Sequence, residues 1–386
     1  MTSVAPYFVL TAGFLAFAWL LGLRVGFYRT LLSDEASASR FHAVDGLRGY
    51  LALGVFFHHA VVNYNYYRTD RWELVGSTFY VMTGQVGVSL FFMITGFLFW
   101  SKGLAGTLDV SRFLEARVRR LVPMYVVSVL AVFLIVFVLT GAQLRVAPNL
   151  LLRQLLAWLS FGFLPTPNIN GLNDTFAINN VYWTLAFEWG FYLALPLCLV
   201  FARGWRFGLL VGVIAAYGAW IGARPLLWNF VFGAIAAIIV RDGRYARIFA
   251  SRGAAIVAAL ALVAVFRFDG AYGLPQCLLM FAFFLFVAQG NSVFGLLTSM
   301  PARLLGTVSY SIYLVHTIVL YVVLRTINAF APVSGLEPVT YWALMTLCGL
   351  LVIVVSCITF RYVEYPFIGR PRPLREMRVG PAPVGQ

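Results

Sequence analysis

The stretch "DGLRGYLALGVFFHHAVV", Asp45 to Val62, reads as a membrane helix that carries the wrong residues. Its apolar run approaches the roughly 20 residues a helix needs to cross about 30 Å of hydrocarbon. Yet Arg48, His58 and His59 sit inside it, and a lipid-facing helix should carry no ionisable group. Arg48 and His59 are eleven positions apart, which at 100° per residue is three turns plus about 20°. They share one helix face, separated by roughly 16 Å along the axis, while His58 points about 100° away from His59. Alone, Arg48 reads as a snorkelling anchor at the membrane surface. A mid-span histidine has no such bland role, and the shared face singles out His59.

The whole chain has the same character. Of 386 residues, 61% are hydrophobic and only 11% charged, a balance that excludes a soluble globular protein. The net charge of +14 has two readings, nucleic-acid binding and membrane topology, and the positions of the charges decide between them. Apolar segments fall near 5–23, 44–66, 85–101, 121–141, 180–202, 207–223, 225–240, 253–267, 272–289, 304–329 and 338–360. The expected fold is therefore all-α, a polytopic bundle of about 11 transmembrane helices. The segment 149–163, "NLLLRQLLAWLSFGF", is interrupted and ends in "LPTP", which predicts an interfacial or re-entrant element. If residues 24–43 are cytoplasmic, only Arg68, Arg71, Arg145, Arg153, Arg224, Arg267 and Arg325 of the 28 Lys and Arg lie outside. That asymmetry follows the positive-inside rule, puts the N-terminus outside and the C-terminus in the cytoplasm, and leaves no charge excess for nucleic acid. Residues 1–40 are expected to hold one helix, retained in the membrane, and a cytoplasmic linker. Residues 41–368 form the membrane core, and the Pro/Arg-rich tail 369–386 is expected to be disordered. Cys198, Cys277, Cys348 and Cys357 lack CxxC or zinc spacing and read as small buried hydrophobes.

Three other stretches carry chemistry. "RFLEARVRRLVPMY" sets Arg117 and Arg120 at i, i+3 on one face, just before Pro123 opens the next span. Two guanidiniums there can grip a phosphorylated ligand, although arginines at an inner interface need no such role. "NNVYWTLAFEWGFYLALP" buries Glu188 with Thr184 and Tyr192 one turn to either side, and an intramembrane carboxylate calls for a function or an ion pair. "SYSIYLVH" spaces Tyr310, Tyr313 and His316 at three-residue steps, with Ser309 two turns before His316. This is a polar stripe that should face protein rather than lipid, and His316 is a candidate hydrogen-bond partner as much as a reactive group.

With these residues in place, the chain resembles the acyltransferase 3 family of bacterial membrane O-acyltransferases, which modify envelope glycans. The matching motifs are "DGLRGYLALGVFFHH", with ten residues between Arg48 and His59, then "GVSLFFMITGFLF" and "FLEARVRRLVPMY". "YWTLAFEWGFYLALP", "SYSIYLVH" and "RYVEYPF" follow in the same order. Together they run from Val44 to Phe367. Thr95 stands where the family often has Ser in "SGF", and Thr184 replaces the Ser of "WSL"; both keep a hydroxyl. The resemblance implies a ten-helix core, so that Pro6–Leu23 is an added helix. The hydrolase-like domain fused to some family members does not follow, which suggests that the membrane unit completes transfer alone or with a separate extracytoplasmic partner.

The resemblance further implies a bacterial inner-membrane enzyme with acetyl-CoA, or another short acyl-CoA, as co-substrate. It implies no tightly bound cofactor or metal, and an envelope saccharide or glycolipid as acceptor. Coenzyme A is cytoplasmic and phosphorylated, which matches Arg48, Arg117 and Arg120 at the inner face. His59, as a neutral imidazole, would act as general base on the acceptor hydroxyl. Glu188 would orient that histidine or grip sugar hydroxyls, and an acyl-enzyme is a less economical route. Aromatic "NYNYYRTDRW" in an outer loop suits sugar rings and a membrane-interface belt alike. The competing class is a transporter of a small anion or acyl group, in which the buried His, Glu and Arg form a relay. Such folds are often built from internal repeats, and the two halves show none.

Overall fold

The computed structural model describes residues 3–38, 41–73, 77–106, 108–201, 205–220, 226–244 and 246–368. The tail 369–386 that the composition marks as disordered lies outside the described residues, as do Arg40, Arg203 and Arg224. Among the described residues helices are the regular elements and there is no strand.

The first helix, α1 (Ala5–Arg24), is predominantly apolar, carries Pro6 in its first turn and is followed by extended Val25. It buries one stripe, Thr11, Phe14, Ala18 and Gly22, at the three- and four-residue steps of a single helix face. That stripe lies against the rest of the protein and leaves the other sides to lipid. Residues expected to be a plain linker form a second helix, α2 (Gly26–Ala38). Tyr28, Leu31 and Leu32 of α2 are buried, and the Tyr28 hydroxyl donates to the Cys357 carbonyl at 2.5 Å.

The decisive stretch lies in α3 (His42–Thr69), whose 28 residues span about 42 Å. Few of its residues reach lipid: α4 (Thr78–Leu104), α12 (Leu274–Ala288), α13 (Met300–Thr307), α14 (Ser309–Asn328) and α15 (Pro338–Thr359) all pack against it. Close approach to α13 depends on glycine. A Cβ on Gly49 would lie 2.6 Å from the Ala302 carbonyl oxygen and 2.9 Å from the Gly306 nitrogen, so only glycine lets the two backbones meet there. The apparent misfit of Arg48 and the histidines is thus resolved by burial in protein.

The remaining helices complete the bundle. Asp109 caps α5 (Val110–Leu139) by accepting from the Arg112 amide at 3.1 Å. The helix then runs through Pro123 without ending, so the arginine stretch and the following span form one rod, where the sequence had suggested a new start at Pro123. The amphipathic 149–163 segment folds as α6 (Pro148–Trp158), 11 residues or about 16 Å, half of what a crossing needs. Next come α7 (Trp183–Val200), α8 (Trp205–Trp220), α9 (Leu226–Asp242), the short α10 (Ala246–Phe249) and α11 (Arg252–Val265). The apolar run 304–329 is broken at Val308 into α13 and α14, and α15 continues through a π-turn, Phe360–Glu364, into α16 (Tyr365–Ile368).

Among the described residues, six helices are long and apolar enough to cross a membrane: α1, α4, α5, α7, α14 and α15 with its extension to Ile368. The helix α3 is long enough, but Asp45, Arg48, Arg68, three histidines and two asparagines dilute its hydropathy. The chain is a multi-pass helical membrane protein. All four cysteines are free, three of them buried.

Candidate active site

At the heart of the bundle α3 and α14 bring two imidazoles into contact. His59 Nδ1 lies 2.9 Å from His316 Nε2, across 257 positions of sequence. His316 is fully buried and His59 is 8% exposed. Each ring also faces a carbonyl of its own helix: His316 Nδ1 is 3.0 Å from the Ile312 oxygen, and His59 Nδ1 is 3.1 Å from the Val55 oxygen. A carbonyl only accepts, so His316 carries its proton on Nδ1 and presents the Nε2 lone pair. His59 Nδ1 then faces two acceptors, the Val55 oxygen and His316 Nε2, and must be the protonated nitrogen. The opposite tautomers would set lone pairs against both carbonyls. The bare, basic nitrogen of His59 is therefore Nε2. Asn63, one turn on, donates to the His59 carbonyl at 2.8 Å.

The neighbouring His58 has a different task. Its ring meets His59 edge-on at 4.9 Å, and its Nδ1 lies 3.0 Å from the Tyr80 carbonyl. It is a tie between α3 and α4.

One end of the bundle gathers the charges. Arg117 stacks over Phe99, with its guanidinium 4.7 Å from the ring centroid. Arg120, one turn on, makes a 2.9 Å ion pair with Glu364, which is fully buried, and Ser311 donates to the same carboxylate. Glu188 accepts from Tyr192. Arg117, Arg48 and Arg120 all act electrostatically on Glu188, so the four charged residues selected from sequence form one cluster. Glu188 makes no hydrogen bond to His59; the ring's partner is His316, which takes the orienting place considered for Glu188.

The polar stripe of α14 spans the distance between the charges and the imidazoles. Tyr310 donates to the Leu121 carbonyl at 2.9 Å. The Tyr313 hydroxyl lies 2.7 Å from Thr184 Oγ1, and its ring centroid is 6.1 Å from that of His316. Arg48, Thr184, Glu188, Ser309, Tyr310 and Tyr313 line one small chamber between α3, α4, α7 and α14. Glu364 was not selected from sequence, although "RYVEYPF" does place a carboxylate at the end of the last apolar run.

Comparison with known proteins accords with this arrangement. The acyltransferase 3 family model, described as an acyltransferase domain, matches residues 41–361. The exopolysaccharide production protein ExoZ of Rhizobium meliloti is 29% identical over 311 residues, covering 76% of this chain and 92% of ExoZ. The acyltransferase MdmB of Streptomyces mycarofaciens is 27% identical over 336 residues, 73% of this chain and 79% of MdmB. The O-acetyltransferase OatA of Staphylococcus aureus is 23% identical over 374 residues, which make up 84% of this chain and 56% of OatA. No solved structure matches. The motif order, the joined His and Arg–Glu sites and the family match over most of the chain agree: this protein belongs to the acyltransferase 3 family.

Proposed function

We propose that the protein is a membrane O-acyltransferase that moves acetyl from cytoplasmic acetyl-CoA to a hydroxyl of an envelope saccharide in the bacterial inner membrane. The observation that carries this reading is the His59–His316 pair, which leaves Nε2 of a buried imidazole as the free base. The names of ExoZ and OatA, an exopolysaccharide production protein and an O-acetyltransferase, support the acceptor and acyl classes. As the acceptor oxygen attacks the thioester carbonyl, His59 Nε2 takes its proton. The C–O bond forms, the C–S bond breaks, and coenzyme A leaves as a thiolate that recovers the proton from the imidazolium. During the step the His59 Nδ1–H bond to His316 becomes charge-assisted and stronger, which stabilises the cation as it develops.

Arg48 and Arg117 supply the grip on the donor phosphates, and Arg120 adds charge while holding Glu364. The topology proposed with it is about eleven crossings with the N-terminus outside, an orientation that turns these arginines toward cytoplasmic donor. Reporter cysteines test that orientation: one at Asn168 should label from outside in intact cells, and one at Ser251 should not. Labelling at Ser251 would reverse the orientation.

The functional test is incubation of source-cell membranes with radiolabelled acetyl-CoA, comparing cells with and without this protein. Label in saccharide that depends on the protein is expected, whereas a transporter forms no covalent product. In the same assay Arg48→Ala and Arg117→Ala should each raise the apparent KM for acetyl-CoA about ten- to a hundredfold, the worth of one charge-assisted bond. Lysine at either position keeps the charge but not the bidentate geometry and should recover only part of that loss. Normal KM with reduced membrane insertion would make these arginines topological anchors instead.

A further inference from the structure

The face of α3 that carries Arg48 and His59 ends on Tyr66. From Arg48 to Tyr66 is eighteen positions, five full turns and about 27 Å. From His59 it is seven positions, about 20° short of two turns and roughly 10 Å. One line along α3 therefore runs from the arginine cluster past the imidazole pair to an aromatic end.

Tyr66 belongs to a cluster there. Its ring meets Trp72 edge-on at 5.4 Å, and Trp72 meets Phe176 edge-on at 5.5 Å. The Tyr66 hydroxyl donates to the Asp174 carboxylate at 3.0 Å, across 108 positions of sequence. All three rings are half-buried, so each keeps some surface open, and Asp174 is exposed. A carboxylate has about four acceptor sites, and one bond from Tyr66 does not fill them. Asp174 also acts electrostatically on Tyr321 of α14, so both histidine-bearing helices reach this end of the bundle.

The loop that supplies Asp174 and Phe176 is fixed in advance. Thr175 Oγ1 accepts from the Ile169 amide at 3.1 Å, and Asn168 Oδ1 accepts from the Thr175 amide at 3.2 Å. The Asn170 side chain donates to Thr140 Oγ1 at 3.1 Å and accepts from the Arg145 amide at 2.8 Å, which ties the loop to the end of α5. Asp174 has φ +55°, a conformation that aspartate adopts more readily than most residues. A belt of interfacial aromatics needs only rings at headgroup depth. It does not call for rings from two chain segments to converge on a carboxylate held by a fixed loop.

We infer that this cluster is a saccharide platform, on which a sugar ring of the acceptor lies against Trp72 and Phe176 while Asp174 accepts from its hydroxyls. This rests on the reading of a saccharide as acceptor, and gives that acceptor a site. The chemistry suits both aspects of a sugar. Its polarised C–H bonds meet the negative faces of the rings, and its hydroxyls make charge-assisted bonds to the carboxylate. A saccharide seated there approaches His59 from the end opposite Arg48, so donor and acceptor do not compete for one space.

The probe is envelope polysaccharide extracted from the source cell and stripped of O-acyl esters with mild alkali. Its binding to the full-length protein in detergent is measured by titration calorimetry, and its labelling by radiolabelled acetyl-CoA is measured in parallel. Trp72→Ala should weaken binding about tenfold or more, the usual loss when a central aromatic anchor is removed. Asp174→Asn keeps the shape and an acceptor for Tyr66 but removes the charge, and should weaken binding about tenfold. Both should raise the apparent KM for polysaccharide and leave that for acetyl-CoA in place. Trp72→Tyr retains a ring and should keep most of the affinity. If Trp72→Ala does not fold, Asp174→Asn and Trp72→Tyr carry the test. A wild type that does not bind the polysaccharide overturns the platform. So do folded Trp72→Ala and Asp174→Asn proteins with unchanged affinity, the result expected of a lipid belt. Binding that depends on Trp72 and Asp174 in a wild type that transfers no acetyl supports the platform and overturns the transferase reading instead.

Discussion

His59→Ala is expected to lower acyl transfer by roughly 10²- to 10⁴-fold, the usual contribution of a general base, in a protein that still folds and inserts. The size follows from the single role left to the ring: Nδ1 is engaged by His316 and Val55, so the remaining nitrogen is the one that takes the acceptor proton. His58→Ala should lose much less, because that ring ties α3 to the Tyr80 carbonyl and makes no hydrogen bond to His316. His316 is the informative position. His316→Leu fills similar space but leaves His59 Nδ1 only the Val55 carbonyl as acceptor, and should lose a large part of the rate. His316→Gln supplies a side-chain oxygen that can accept from His59 Nδ1, and should recover a substantial part of the rate. A merely structural histidine would rank these two replacements by packing, with leucine the better. Equal losses in His58→Ala and His59→Ala, or full activity in His59→Ala, would place the base elsewhere.

Arg120→Ala is expected to destabilise the protein by about 3–5 kcal/mol, the usual cost of leaving a buried charge unpaired. Glu364 is completely buried and Arg120 is its ion-pair partner, with only Ser311 as a further bond. The loss should appear as a lower thermal midpoint in detergent and a lower yield of folded protein. Adding Glu364→Gln removes the charge that Arg120 neutralises, so Arg120→Ala/Glu364→Gln should be more stable than Arg120→Ala alone. The double variant also separates two roles. If it folds and keeps a normal KM for acetyl-CoA, Arg120 serves the site by holding the π-turn; if KM rises tenfold or more, Arg120 also binds donor. An Arg120→Ala protein as stable as wild type would mean that Glu364 needs no guanidinium.

Both predictions depend on contacts between residues far apart in the chain, and that is where reading the sequence stopped. Helical periodicity put Arg48 and His59 on one face of α3, and the structure keeps them on that helix, buried among five others. Hydropathy placed the apolar segments on helices, since burial preference is a local property of the residues. It missed α2, whose apolar residues cover a single short face, and it read a start at Pro123, where packing carries α5 onward despite the lost hydrogen bond. The intramembrane ionisable residues marked the site from sequence because a buried charge is costly wherever the helix lies.

What the sequence determined by itself is thus the list of parts: a membrane bundle, a histidine and a carboxylate in its interior, arginines at helix ends, and a family pattern in motif order. Tertiary structure alone decided how they pair. It joined His59 to His316 rather than to Glu188, gave Arg120 to Glu364, and gathered Arg48, Glu188 and Ser309 around one small chamber. The physical reason is common to all three. A hydrogen bond, an ion pair and a cavity volume depend on ångström-scale distances between different helices, and no residue pattern along one helix encodes them.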